Sequence, residues 1–375
     1  MEQAKNQIHY RRKYTKGGRI MGIVGVLLGS VLGILIIMFW MCSPGKVEPY
    51  RDANGEILEG SLASKEFVTI NNTKMGMIIK SKDTTRPVLL FVHGGVGMPE
   101  YFFNEAHPSH LEELFTVVWW DQRGAGLSYD SNISAEEMTT EQMIADINEV
   151  SRYLCQRFNQ QQIYLMAHSA GSFTAIQAVA KEPRLYKAYI GMGQMTNQTQ
   201  SEKLAYEYMI QYYTKSGDIS KVQKLKAYYG TSKYSRIRDA YMHEAGIGTT
   251  RKMQSVITGI VFPEMTVPDY TMTEKINIWR GKLLGGRSKV QQDIWNIDLS
   301  KMITKLEVPT YFFSGMYDYT VNYKMAQNYF NEIEAPIKRF YLYENSAHSP
   351  IFEESEKALQ VLEEDVLGAS DDLSI

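Results

Sequence analysis

Cysteine is almost missing from this chain: among 375 residues only Cys42 and Cys155 carry a thiol. No disulfide framework can be built from them, so the folded body must be stable through packing alone. No Cys/His cluster has the spacing of metal ligands, and neither a metal nor another cofactor is expected. An excess of one charge is missing too. Lys and Arg number 40 and Asp and Glu 42, a formal net charge of -2 with no basic face, so a nucleic-acid partner is not expected. No internal repeat or low-complexity stretch occurs, which excludes a repeat array. What is present is a long chain with 44% hydrophobic residues, ample to bury one large core. Composition leaves the oligomeric state open.

Charge is absent altogether between residues 20 and 42, a run rich in Ile, Leu, Val and Met. At 1.5 Å rise per residue it is long enough to cross a hydrocarbon core of about 30 Å. Lys5, Arg11, Arg12, Lys13, Lys16 and Arg19 precede it, with Glu2 alone against them. The positive-inside rule then places the amino terminus in the cytoplasm and the rest of the chain outside a cell membrane crossed once. A cleaved signal peptide has a shorter apolar region, about 7–15 residues, and small residues at its cut site. This run instead exits through Phe39, Trp40, Met41 and Cys42. An uncleaved anchor is the expectation, with cleavage the alternative. Gly25, Gly29 and Gly33 share one face, as a helix-pairing stripe or as the ordinary glycine content of membrane helices.

The most informative stretch is Ala167-His168-Ser169-Ala170-Gly171. An apolar run over 162–167 reads as a short buried strand, and 170–179 as the helix after it. A serine at so sharp a turn needs tiny residues two places to either side, here Ala167 and Gly171. The arrangement is similar to the nucleophile elbow of an α/β-hydrolase; the alternative is an ordinary turn with a capping serine. A nucleophilic serine needs a base, and the base a carboxylate to orient it, in the chain order serine, acid, histidine. Beyond Ser169 only His243 and His348 are available. His348 follows a strand-like run at 338–343. His243 lies in a helical, polar-rich region and reads as a surface or cap residue. Asp318 sits just past a strand read at 308–314. Asp318 is therefore the expected acid and His348 the expected base.

The apolar run 86–92 reads as a strand buried on both faces, and it ends in His93-Gly94-Gly95-Val96-Gly97. Glycine there lets backbone approach a substrate. The N–H of Gly95 joined by that of Ala170 makes the expected oxyanion hole. A strand at 115–120 leads into Asp121-Gln122-Arg123-Gly124-Ala125-Gly126-Leu127-Ser128. These motifs together resemble the α/β-hydrolase superfamily and, within it, the proline iminopeptidase-like branch, over most of residues 87–362. Val96 stands where that branch usually has proline, and Ala167 to Ala170 replace its usual Gly-Gly-Ser-Trp.

The resemblance implies an α/β-hydrolase fold with a mostly parallel sheet and an inserted helical cap, and the apolar run at 20–42 places one transmembrane helix before it. The expected layout is a basic cytoplasmic segment at 1–19, the transmembrane helix at 20–42 and a linker at 43–65. The core follows at 66–196 and 305–375, interrupted by the cap at 197–304. A hairpin is expected around Asn71 and Asn72. Tyrosines at helical spacing over 204–213 suit either cap core or substrate contact. The resemblance also implies a serine hydrolase acting on a small-molecule or peptide substrate. An aminopeptidase would hold a free amine with cap carboxylates, for which Glu202, Glu207 and Glu244 are the candidates. A carboxylesterase or lipase acting on small or membrane-derived esters is the alternative. A silent hydrolase fold used for binding is an alternative of another class.

Overall fold

A computed structural model describes residues 2–368, so residue 1 and residues 369–375, the outer ends of the first and last expected segments, lie outside the description. Eight strands form one sheet: β1 (Leu62–Ile70), β2 (Thr73–Ser81), β3 (Val88–Val92), β4 (Thr116–Trp120), β5 (Ile163–His168), β6 (Tyr186–Met192), β7 (Thr310–Gly315) and β8 (Lys338–Tyr343). Their order is β1-β2-β4-β3-β5-β6-β7-β8. The β1–β2 and β2–β4 pairs are antiparallel and every other pair is parallel. Asn71 (φ 44°) and Asn72 (φ 60°) take the two left-handed positions of the tight turn that joins β1 to β2. β1 begins inside the segment expected to be linker, because Leu62 to Lys65 continue the pairing with β2.

Side chains alternate across a strand, and both faces of this sheet are covered. Leu90 and Val92 of β3 therefore join one core, together with Ile147 of α3 (Thr140–Arg157) and Phe173 and Ile176 of α4 (Ala170–Lys181). Leu89 and Phe91 join the opposite core, with Phe102 and Phe103 of α2 (Tyr101–Ala106) and the carboxy-terminal Leu362 and Val366. A strand buried on both faces reads as an unbroken apolar run for this reason. The parallel strands all end at one edge of the sheet, and the loops there carry the polar residues singled out from the sequence.

Between β6 and β7 the chain is helical. Its main elements are α5 (Gln198–Lys215), α6 (Ile219–Tyr228), α7 (Tyr234–Glu244), α8 (Phe262–Thr266) and α9 (Met272–Gly285). Asn197 caps α5 by accepting the N–H of Gln200 at 3.0 Å. Ala205, Met209 and Tyr213 of α5 pack with Leu225, Tyr234 and Tyr241 into a core of their own. Of the α5 tyrosines Tyr213 is cap core, Tyr206 and Tyr208 pack against that core half-buried, and Tyr212 is exposed.

At the amino terminus α1 runs from Glu2 to Met41 as one helix. Its Ile20–Met41 portion is apolar and long enough to cross a membrane, and none of the window is buried by the rest of the chain. Nothing lies within 4 Å of a Cβ built on Gly25, Gly29 or Gly33. The exit of α1 is held against the cap. Lys275 of α9 donates to the carbonyl of Cys42 and the hydroxyl of Ser43, both at 2.9 Å, and to the carbonyl of Met265 at 2.8 Å. The Phe39 and Phe262 rings meet edge-on at 6.0 Å.

Candidate active site

β5 delivers Ser169 into a backbone conformation that serine seldom adopts, φ 53° and ψ -125°. Such a residue costs roughly 1–3 kcal/mol and persists only where its surroundings hold it. They do so here: the Ser169 N–H bonds to the carbonyl of Met192 at 2.9 Å, and its carbonyl accepts the N–H of Ser172 at 2.9 Å. Gly171 is tiny for a visible reason. A Cβ there would lie 2.4 Å from the carbonyl oxygen of His93 and 2.5 Å from that of Val92. The first turn of α4 rests directly on the end of β3.

The loops after β7 and β8 bring Asp318 and His348 together. His348 Nδ1 lies 2.8 Å from Asp318 Oδ2, while Asp318 Oδ1 accepts the N–H of Val321 at 2.8 Å. Asp318 is fully buried. With the proton on Nδ1 facing the carboxylate, the lone pair is left on Nε2, the form a general base requires. Gly315 allows the crossing of these loops, since a Cβ there would lie 1.9 Å from the carbonyl oxygen of Ala347. Ser169 and His348 line the same cavity, of about 370 Å³.

Gly95 (φ +42°) lies at the rim of this cavity, and its N–H, like that of Ala170, has no protein acceptor among the described residues. The N–H of Gly94 does have one, Glu100 Oε1 at 2.6 Å. His93 below it is a structural staple. Burial pushes its pKa down to about 4, so the ring is neutral. It accepts the N–H of Gln122 on Nε2 at 3.1 Å and donates from Nδ1 to the Gly94 carbonyl at 3.0 Å. The loop after β4 is structural as well. Asp121 accepts the N–H of Leu127, and Arg123 makes a two-point ion pair with buried Asp146 at 2.7 and 2.9 Å.

Sequence reasoning missed several charged residues of the cavity. His168 Nδ1 lies 2.8 Å from Glu100 Oε2, and His168 Nε2 donates to the backbone carbonyl of His348 at 2.8 Å. Burial pushes Glu100 up, but the charge and hydrogen bond of His168 and the Gly94 N–H outweigh it and hold the carboxyl below the ordinary range. Burial pushes His168 down, and Glu100 outweighs that in turn, leaving the imidazole raised. The pair is an ion pair whose imidazole also bonds the backbone of His348. A polar residue one step before the elbow serine was the only signal for it.

The three cap glutamates do not line the cavity. Glu202 is buried, but its carboxylate is taken by Arg238 at 2.8 Å and by the Tyr234 hydroxyl at 2.8 Å. Glu207 and Glu244 are exposed, and Glu244 pairs with Lys221. The resemblance pointed to cap carboxylates in general, and sequence alone does not say which face of a cap helix turns toward the core. The side chains that reach the cavity from the cap include Arg238, Asp239, Met242, His243, Trp279 and Lys282, beside Thr249, Val256 and Ile260. His243 is thus not a surface residue: it is buried, burial lowers its pKa, and Nε2 bonds with the Thr249 hydroxyl at 3.0 Å.

This arrangement has counterparts. The alpha/beta hydrolase fold family matches residues 87–218. The probable aminopeptidase YbaC of Bacillus subtilis (strain 168) is 31% identical over 300 residues, covering 78% of this chain and 93% of that protein. A proline iminopeptidase of Saccharolobus solfataricus is 24% identical over 74% of this chain and 83% of its own length. The crystal structure of a proline iminopeptidase from Mycobacterium smegmatis superimposes with a TM-score of 0.62, covering 83% of this chain and all of that one at 13% identity, a likeness of fold. Sheet order, elbow and extended likeness to YbaC agree, and the chain belongs to the α/β-hydrolase superfamily, in its proline iminopeptidase-like branch, as a hydrolase.

Proposed function

We propose that this protein is a membrane-anchored serine hydrolase working through an acyl-serine intermediate. The observation that carries the proposal is the 2.8 Å contact between His348 Nδ1 and Asp318 Oδ2 at the wall of the cavity that holds the strained Ser169. Ser169 Oγ attacks the substrate carbonyl carbon as His348 Nε2 takes its proton. The N–H groups of Gly95 and Ala170 receive the resulting oxyanion, each donor worth about 3 kcal/mol in the transition state. The bond to the leaving group then breaks, and His348 returns the proton to the departing nitrogen or oxygen. Water, deprotonated by His348, attacks the acyl carbon; the acid leaves and Ser169 regains its proton.

The names of the relatives support a peptidase that releases amino-terminal residues. A specific observation favours a small ester as the second reading. Glu100 and Asp239, the acidic residues lining the cavity, are paired with His168 and Arg238, so neither is free for a substrate amine. A silent binding fold is disfavoured by Ser169, since a binding surface has no need to keep so strained a residue.

The apolar Ile20–Met41 helix supports the anchor, and the basic residues before it support a cytoplasmic amino terminus with the catalytic body outside. A fluorophosphonate probe tests the chemistry: it should label the wild type and fail on Ser169→Ala. Equal labelling of the variant would refute the acyl-serine mechanism.

A further inference from the structure

Helix α9 touches the oxyanion loop through backbone. A Cβ on Gly281 would lie 2.6 Å from the carbonyl oxygen of Gly124, and one on Gly285 would lie 2.2 Å from that of Val96. From the other side, a Cβ on Gly97 (φ +84°) would lie 2.2 Å from the carbonyl oxygen of Gly281. Contacts this close leave a helix no room to slide. The start of α9 is fixed as well, by a capping box between Thr271 and Glu274 and by the 2.8 Å ion pair of Glu274 with Lys65 of β1.

Lys282 follows Gly281 in this fixed helix. Its ammonium lies 3.2 Å from where a Cβ on Gly95 would stand, beside the expected oxyanion hole. The other charged groups lining the cavity are spoken for. Glu100 is paired with His168, Arg238 with Glu202 and Asp239, and His348 with Asp318. His243 is biased toward its neutral form by burial. Lys282 has no hydrogen bond and no ion pair among the described residues, yet it stands in the wall of the cavity with its side chain open to it. Burial lowers its pKa, partly offset by the charges of Asp239 and Glu100. Lys282 is exposed to the open cavity, so water solvates its ammonium there; a substrate that fills the cavity displaces that water and is favoured when it brings an anion in its place.

We propose that Lys282 is a substrate-binding residue that takes a carboxylate carried by the substrate close to the scissile carbonyl. The proposal rests on the serine-hydrolase reading and deepens it by naming a substrate class: carboxylate-bearing esters or short peptides, in place of substrates held by a free amine. The carboxylate can sit on the acyl part, as in a half-ester of a dicarboxylic acid, or on the leaving group, as at the free carboxyl terminus of a dipeptide.

The full-length protein in detergent decides between them. The first arm compares the p-nitrophenyl half-ester of glutaric acid with neutral p-nitrophenyl butyrate; the second compares dipeptides with their carboxyl-terminal amides. The wild type should prefer the anionic member of at least one pair. Lys282→Met should erase that preference, the ratio of the two kcat/KM values falling about 10- to 100-fold, as expected for one charge-assisted hydrogen bond. Lys282→Arg should retain part of it. The affected arm tells which side of the scissile bond carries the charge. An equal fall on both members would overturn the proposal and assign Lys282 to the oxyanion or to the fold. So would an unchanged ratio, or a wild type with no anionic preference. Fluorophosphonate labelling of Ser169 in the same samples separates these results from a failure of the hydrolase reading, in which labelling itself is lost.

Discussion

Gly193 offers a test of the histidine–aspartate pair without touching either residue. It follows β6 with φ +54°, and its N–H bonds to the carbonyl of Phe313 at 2.9 Å. A Cβ at this position would lie 3.0 Å from His348 Cε1, 3.2 Å from His348 Nδ1 and 3.4 Å from Asp318 Oδ2. Carbon atoms settle at about 3.5–4.0 Å, so the imidazole must retreat by roughly half an ångström. Gly193→Ala therefore combines about 1–2 kcal/mol for alanine in the left-handed region with about 1–3 kcal/mol for overpacking. A displacement of about 1 Å in a reacting group can cost about 100-fold in rate, so half of that should lower kcat by about 10-fold. Gly217→Ala is the matched control, since Gly217 has φ +78° but nothing within 4 Å of its Cβ position. Urea unfolding and the rate of fluorophosphonate labelling should be measured on both. Gly193→Ala should lose stability and labelling rate, and Gly217→Ala a little stability only. Full labelling speed in a destabilised Gly193→Ala would refute the role given to the pair.

Two other outcomes are expected. Burial pushes the Asp121 carboxyl up to about 8, and Glu264 and Glu353 up to about 7, so the folded state binds these protons more tightly than the unfolded chain. Their contribution is fully present below the ordinary carboxylate range, shrinks as pH rises above it and is gone once pH has passed about 8; urea midpoints should fall across that whole span, and Asp121→Asn should flatten the fall. Lys275→Met removes the three bonds holding the exit of α1, so limited proteolysis within residues 43–47 should quicken while Ser169 labelling persists, and unchanged protection would disprove the clamp.

Much of this molecule is legible in one dimension because its determinants are local. A strand buried on both faces must be an unbroken apolar run, as in β3 and β5, and a sharp strand-to-helix turn demands Ala167 and Gly171 around Ser169. Parallel strands end at one edge, so Asp318 and His348 could be picked from their places after β7 and β8. The apolar helix follows from length and composition alone. Charge pairing has no such local signature. Whether a carboxylate is free or taken depends on residues far along the chain: Glu100 meets His168, and Glu202 meets Arg238 from another cap helix. The resemblance offered Glu202, Glu207 and Glu244 equally as cap carboxylates, and tertiary packing leaves all three out of the cavity lining. Lys282 was equally invisible. Only the backbone contacts of Gly281, Gly285 and Gly97 bring its ammonium to Gly95, because close packing between distant segments, unlike the period of a helix or strand, is decided by the whole fold.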